Sequence, residues 1–261
     1  MSDSGHSDKE SLALDVAALR EKLGPVKVGL IERWIREVNG PYDEMIGRVM
    51  EADSLVLDVG CSRGDPDLPS MYTGRGVIGA DLDVLGLRAN DMAQGCVLSP
   101  MDALPFADGV FDVVVCKWVV EHLEDPAGAF RECARVLKPG GHVAVLTPNA
   151  WSLFTLISSL MPFRLKQILK GKMFGGHEED TFRTWYRANT RRSLDRVMDE
   201  AGFVCVEKAL LPGMWTFFIF NRPLALLVRW VEHVQIKLPG ARNLSTYIVG
   251  LWKKTGITGL H

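Results

Sequence analysis

Leu55-Val56-Leu57-Asp58-Val59-Gly60-Cys61-Ser62-Arg63-Gly64 is a short apolar run that ends in a glycine-containing turn. A nearly continuous apolar run of this length reads as a strand buried on both faces, the pattern of a parallel sheet. The glycines allow a sharp turn and a close approach of ligand to backbone. Working outward, Val77–Asp81, Gly95–Leu98, Phe111–Cys116 and Gly141–Thr147 read as four more strands, the last after the turn Lys138-Pro139-Gly140-Gly141. Helical segments fit between them: a short one after Gly64, then Leu85–Met92 and Pro126–Leu137. Strands alternating with helices predict an α/β fold with right-handed crossovers.

Further along, Arg191–Ala201 reads as a helix closed by Gly202, and Phe203–Leu211 as a sixth strand. Arg222–Ile236 is apolar and helical, and Thr246–Trp252 is a candidate seventh strand. Upstream, Leu12–Leu23 and Val28–Ala52 carry helical periodicity, with Ile31, Trp34, Ile35 and Val38 on one stripe. Asn39-Gly40-Pro41 is expected to break the second of these into two helices. The chain divides into a polar tail (1–9), an N-terminal helical cap (10–53), a ligand-binding core (54–150), a lid or substrate insertion (151–190) and a C-terminal completion of the sheet carrying the apolar helix (191–261).

The turn at Gly60 admits three readings. A dinucleotide fingerprint needs a third glycine that is absent. Gly60-Cys61-Ser62-Arg63-Gly64 matches a hydrolase nucleophile elbow letter for letter, with Ser62 as nucleophile. That elbow should follow several strands and an oxyanion-hole loop, whereas only helical sequence precedes it here. The third reading is a resemblance. Val56-Leu57-Asp58-Val59-Gly60-Cys61, then Asp81 after Ile78-Gly79-Ala80, Asp102-Ala103-Leu104-Pro105-Phe106, Phe111-Asp112-Val113-Val114, Glu121-His122-Leu123-Glu124-Asp125-Pro126 and Arg135-Val136-Leu137-Lys138-Pro139-Gly140-Gly141 follow in order. Six blocks in register resemble the class I S-adenosylmethionine-dependent methyltransferases.

That resemblance implies a Rossmann-like three-layer sandwich around a mostly parallel seven-stranded sheet, with S-adenosylmethionine as cofactor. It implies a cofactor set of Asp58, Gly60, Cys61, Gly64, Asp81, Leu82, Asp102, Ala103, Lys117 and Trp118. Asp81, ending the second strand, suits the ribose hydroxyls, and the resemblance gives Asp102 the adenine amino group and Gly60 the methionyl end. Asp58 orients either the loop or the methionyl ammonium. Lys117 and Trp118 are expected to line the pocket. Ser62 departs from the family pattern, where glycine is usual.

An oxygen acceptor calls for a general base, most often histidine. His122 and His177 are the candidates. His177 lies in Gly175-Gly176-His177-Glu178-Glu179-Asp180, ahead of Thr184-Trp185-Tyr186-Arg187. Trp151, Tyr186 and Arg187 are the expected substrate contacts. The acidic cluster matches no helical ligand pair, so no metal is expected. Trp151–Lys172 places Leu153, Leu156, Ile157 and Leu160 at helical spacing before Arg164, Lys166, Lys170 and Lys172. This reads as a lid helix, or as a helix lying on a membrane surface or gripping a lipid-like acceptor.

A net charge of −2 from 30 basic and 32 acidic residues argues against a nucleic-acid partner. The expected acceptor is a small molecule or a lipid- or glycan-linked one. Five scattered cysteines without a Cys-x-x-Cys pair, and a polar Met1–Glu10, fit a reduced, cytoplasmic protein, with a peripheral membrane contact through 151–172 as an added reading. Val143–Phe163 carries no charge, but Thr147-Pro148-Asn149 and Pro162 break it, so it reads as strand plus short helix. A protein that keeps the cofactor site without catalysis is the alternative function, and a serine hydrolase using Ser62 is the remote one. Oligomeric state is not legible in the sequence.

Overall fold

The computed structural model describes residues 25–65, 76–153, 155–156, 182–218 and 221–256. The 1–9 tail, the Leu12–Leu23 helix, the short helix after Gly64, most of Trp151–Lys172 and the His177 cluster lie outside the described residues. In chain order the elements are α1 (Pro25–Gly47), β1 (Leu55–Val59), β2 (Gly76–Asp81), α2 (Val84–Ala89), β3 (Gly95–Leu98), β4 (Phe111–Lys117), α3 (Pro126–Val136) and β5 (Leu137–Pro148). They continue with α4 (Arg191–Glu200), β6 (Phe203–Leu211), α5 (Arg222–Lys237) and β7 (Tyr247–Lys254).

The seven strands form one sheet in the order β3-β2-β1-β4-β5-β7-β6. Pairing is parallel throughout except along β7, which runs antiparallel to both neighbours. Side chains alternate across a strand, so neighbouring residues feed opposite layers. Leu57, Val59, Val114, Cys116, Val143 and Val145 pack with Phe130 of α3 and with Leu194 and Met198 of α4. Val56, Val113, Val115, Ala144 and Leu146 pack instead with Val38, Tyr42, Met45 and Ile46 of α1. Two buried layers on one sheet give the expected three-layer sandwich, with α1 lying on a sheet face. No helix among the described residues is long and apolar enough to cross a membrane.

Two expectations are corrected. Asn39-Gly40-Pro41 does not break the helix: α1 runs through with Pro41 inside it. An interior proline costs about 3 kcal/mol. Here Val38, Tyr42, Met45 and Ile46 recur on one stripe and are all buried against the sheet, each worth about 1.5–3 kcal/mol in area removed from water. The Tyr42 hydroxyl, just after the proline, donates to Ala144 O (3.2 Å) and accepts from Cys116 N (3.1 Å). Packing thus overrides the local breaker. Second, β5 begins at Leu137 rather than Gly141. Lys138–Gly141 form a bulge inside it, since Phe111 pairs with Leu137 and Val113 with His142. Gly140, at φ +79°, supplies the left-handed position that bulge needs.

β1 and β4 lie either side of the point where the strand order reverses. Open sheets bind ligands in the crevice outside the carboxyl ends of such a pair.

Candidate active site

A cavity of about 590 Å³ opens at that switch point. On the β1 side the chain turns through three left-handed residues, Gly60 (φ +75°), Ser62 (φ +38°) and Gly64 (φ +87°). Gly60 N donates to Ala80 O at 2.7 Å, and Gly64 N to Cys61 O at 2.7 Å. A Cβ on Gly60 would lie 2.1 Å from Val119 Cγ2, so no side chain fits there. Cys61 is buried with its sulfur against Gly79, and burial pushes its thiol up. It therefore packs and does not react.

Asp81 holds this turn from β2. Its Oδ2 accepts from Ser62 N (2.7 Å) and its Oδ1 from Asp83 N (2.8 Å). A carboxylate has about four acceptor positions, so each oxygen keeps capacity toward the cavity that Asp81 lines. Asp58 also lines the cavity and is buried. Burial first, then the neighbouring Asp65 and Asp81, push its carboxyl up to about 7, with Lys117 opposing. Lys117 is ion-paired with Asp65.

On the β4 side Trp118 takes φ +59° and donates its N–H to Leu146 O at 2.9 Å. Its ring stacks on Trp34 (centroids 6.5 Å) and meets Tyr247 edge-on (5.1 Å). A 3-10 turn, Val120–His122, follows. His122 Nδ1 lies 3.0 Å from Arg183 O, and its Nε2 lies 4.0 Å from Glu121 Oε1. Glu121 is buried, its carboxyl is pushed up by desolvation, and its Oε2 accepts from Thr147 Oγ1 at 3.1 Å. Asn189 Nδ2 donates to the same Thr147 oxygen at 2.6 Å.

The backbone of Glu121 brings in the distant segment. Its carbonyl accepts from Trp185 N (2.7 Å) and Tyr186 N (3.2 Å). Phe182, Arg183 and Trp185 thereby line the cavity, with the Arg183 guanidinium 3.7 Å over the Trp185 ring.

Of the expected residues, Asp58, Gly60, Cys61, Gly64, Asp81, Leu82, Lys117, Trp118 and His122 are brought together around the cavity. Asp102 and Ala103 are exposed and fall outside its lining, beside Met101, which lines it. Trp151 is exposed, and neither it nor Tyr186 nor Arg187 lines the cavity. Tyr186 takes a left-handed backbone (φ +52°), and the Arg187 guanidinium reaches Glu124 O and packs 4.7 Å over Trp185. His177 lies outside the described residues. Phe182 and Arg183 are contacts that sequence reasoning misses, although Trp185 stands beside the expected Tyr186. No group of His, Cys, Asp and Glu among the described residues is placed to hold a metal ion. Ser62 Oγ points to a carboxylate, Asp83 Oδ2 at 3.3 Å, rather than to a histidine that would activate it.

Residues 57–145 match the family described as the methyltransferase domain. Over these residues the chain is similar to S-adenosylmethionine-dependent methyltransferases. Among curated relatives, the chain is similar to a ubiquinone biosynthesis O-methyltransferase of Ralstonia nicotianae, 38% identical over 35% of this chain and 42% of that protein. It is also similar to a probable S-adenosylmethionine-dependent methyltransferase of Mycolicibacterium smegmatis, 37% identical over 46% of this chain and 48% of the relative. The chain thus spans about half the length of these curated relatives. In fold it is similar to an S-adenosylmethionine-dependent methyltransferase from Mesorhizobium loti, with TM-score 0.56, 15% identity, and coverage of 82% and 96% of the two chains.

The site fits that family's cofactor on its own chemistry. Asp58 is a buried carboxyl on the cavity wall, and a cation beside it would offset its desolvation. It therefore matches a ligand ammonium. Asp81 keeps acceptor capacity for hydroxyls, and Leu82 and Met101 add apolar surface for a flat ring.

Proposed function

We propose that this chain transfers a methyl group from S-adenosylmethionine to an oxygen of a small-molecule, glycan-linked or lipid-like acceptor. When bound, the cofactor supplies a methyl on a sulfonium that needs no further activation. The residues that would hold it are Asp81 at the ribose hydroxyls, Asp58 at the ammonium and the Gly60 turn at the methionyl end.

One observation carries the oxygen reading. His122 Nδ1 faces a backbone carbonyl, Arg183 O, at 3.0 Å. A carbonyl oxygen only accepts, so Nδ1 is the nitrogen that carries hydrogen and Nε2 keeps its lone pair. Glu121 Oε1 lies 4.0 Å from Nε2, beside the nitrogen that would take the proton. This tautomer and its neighbour suit a general base that removes a hydroxyl proton. The name of the Ralstonia relative, an O-methyltransferase, agrees with that chemistry. Acceptor alignment supplies the rest, worth on the order of 7–11 kcal/mol at best. Arg183, stacked on Trp185 at the cavity wall, offers a cation for that alignment.

The test is a transfer screen with labelled cofactor against cell extract, followed by His122→Ala on the product found. The variant should lose about 10²–10⁴-fold in kcat, with affinity for S-adenosylhomocysteine unchanged within about threefold. Label found only in protein or nucleic acid would overturn the acceptor class. An unchanged kcat would remove His122 from the chemistry.

A further inference from the structure

The insertion between β6 and β7 carries a surface that methyl transfer does not use. On α5, Leu226, Leu227, Trp230, Val231 and Val234 are exposed, and Leu238 continues the row past the helix end. Leu227 is 56% and Trp230 63% exposed. Spacings of three and four residues put Leu227, Trp230 and Val234 on one stripe. A helix of this kind normally turns its apolar stripe inward. Its inward face here is instead Ala225, Glu232 and Gln235. Glu232 is buried and accepts from Gly213 N, Met214 N, Trp215 N and Thr246 Oγ1. Those bonds clamp the helix with its apolar side outward.

The charges on this surface have one sign. Glu232 is the only acid on α5, and it is buried. Arg229 is paired with Glu37 of α1 (2.7 Å). The other titratable residues of α5, Arg222, His233 and Lys237, are exposed. At the helix end Arg191, Lys237 and Arg242 line a cleft of about 380 Å³ together with Leu238, so the cationic cleft adjoins the apolar row. Apolar aliphatics and a tryptophan beside cations, with no exposed acid on the helix, complement an anionic bilayer.

We propose that α5 docks on an anionic lipid surface, with the Leu227–Trp230–Val234 stripe in the interface and Lys237, Arg242 and Arg191 on headgroup phosphates. The sheet gives that contact a direction. Pro148 of β5 pairs with Tyr247, and Tyr247 with Leu211. The insertion therefore leaves the sheet at the edge where β5 ends, the edge that carries the cavity.

Flotation of the full chain with vesicles, without cofactor, tests this apart from the methyl-transfer reading. Vesicles of phosphatidylcholine with phosphatidylglycerol should carry the protein, and phosphatidylcholine alone should not. Leu227→Ser with Trp230→Ser, both exposed, should abolish flotation with an unchanged melting curve. Each cation near an anionic leaflet is worth about fivefold in affinity, so Lys237→Glu with Arg242→Glu should weaken flotation at least about 25-fold. No flotation of the unaltered chain, or equal flotation on neutral vesicles, would overturn the proposal. A dimer that the apolar variant dissociates would assign the face to a second copy instead. Flotation seen only after removal of residues 1–24 would assign it to the chain's own N-terminus.

Discussion

Two neighbouring parallel strands, β1 and β4, both enter the cavity through left-handed backbone, and they tolerate it in opposite ways. At the end of β1 the residue is Gly60 (φ +75°), with no room for a Cβ beside Val119. At the end of β4 it is Trp118 (φ +59°), the bulkiest side chain of all. Glycine removes the strain and leaves the backbone open to a ligand. Tryptophan keeps a strain of roughly 1–2 kcal/mol and offsets it by packing on Trp34 and Tyr247. One turn is permitted by what its residue lacks and the other by what its residue touches. The first belongs to the cofactor edge and rests on the glycine itself, with Val119 closing the space beside it. The second depends on α1 and β7, which are distant in sequence.

The largest expected effect tests the β1 half of this contrast. Gly60→Ala should lose about 3 kcal/mol, combining left-handed strain of about 1–2 kcal/mol with overpacking of about 1–3 kcal/mol. By scanning calorimetry that is a fall in Tm of roughly 6–12 °C for a chain of this size. Gly240→Ala is the matched control, since its backbone sits at φ +82° and a Cβ there would meet nothing within 4 Å. It should show the backbone cost alone. Equal losses at the two positions would mean that the Val119 contact does not matter.

Next in size is the β4 turn. Trp118→Ala should cost about 2–3 kcal/mol, below the 3–5 kcal/mol of a fully buried aromatic because Trp118 is half-buried. Trp118→Gly should be more stable than Trp118→Ala by about 1 kcal/mol, since glycine relieves the left-handed strain that alanine keeps. The reverse order in urea melts would show that packing alone governs this turn.

The same contrast explains what is legible in the sequence. β1 begins and ends where its apolar run does, because a strand buried on both faces needs apolar residues at nearly every position, and the bounds of the edge strands β3 and β6 follow their flanking turns. Gly60, Gly64 and Asp81 are legible because a turn and its carboxylate sit at fixed offsets from those runs. The continuity of α1 through Pro41 is not, since it rests on Tyr42 reaching Ala144 and Cys116 across the sheet. Nor is the role of Arg183, whose place at His122 comes from backbone bonds to Glu121 more than sixty residues earlier. No local pattern encodes such a contact. Asp102 enters through family resemblance alone, and it stands exposed beside Met101, which lines the cavity.

Asp58 gives a smaller, pH-dependent test at the β1 edge. Its carboxyl is pushed up to about 7 in the folded chain, from an ordinary value near 3.8. The folded state therefore keeps a proton that the unfolded state loses, and this stabilising contribution is present at low pH and lost as pH rises through 7. A bound ammonium reverses the preference and favours the carboxylate. Below pH 7 ligand binding must then expel a proton, so S-adenosylhomocysteine affinity should fall by up to about tenfold per pH unit, or about 1.4 kcal/mol. Calorimetric titration at pH 6 and pH 8 measures it. Asp58→Asn should bind more weakly at pH 8 and lose the slope. A slope that survives in Asp58→Asn would place the titrating group elsewhere.

The smallest effect concerns Ser62, the residue that stands between the two solutions. It is left-handed (φ +38°) without being glycine, and its side chain is small. Its hydroxyl donates to Asp83 Oδ2 at 3.3 Å, and a Cβ built on Gly86 would lie 2.6 Å from that hydroxyl. The hydroxyl thus sits toward the start of α2, and Gly86 makes the room for it. The features that hold the turn are backbone ones, Ser62 N on Asp81 Oδ2 and Asn90 Nδ2 on Ser62 O, and glycine keeps both. Ser62→Gly therefore relieves about 1–2 kcal/mol of strain and gives up one long, half-exposed hydrogen bond worth about 0.5–1 kcal/mol. The expected net is a stability gain of under about 1 kcal/mol, with S-adenosylhomocysteine affinity equal or better. A tenfold loss of affinity on titration would mean that the hydroxyl itself contacts the ligand, and the β1 turn would then depend on a side chain as the β4 turn does.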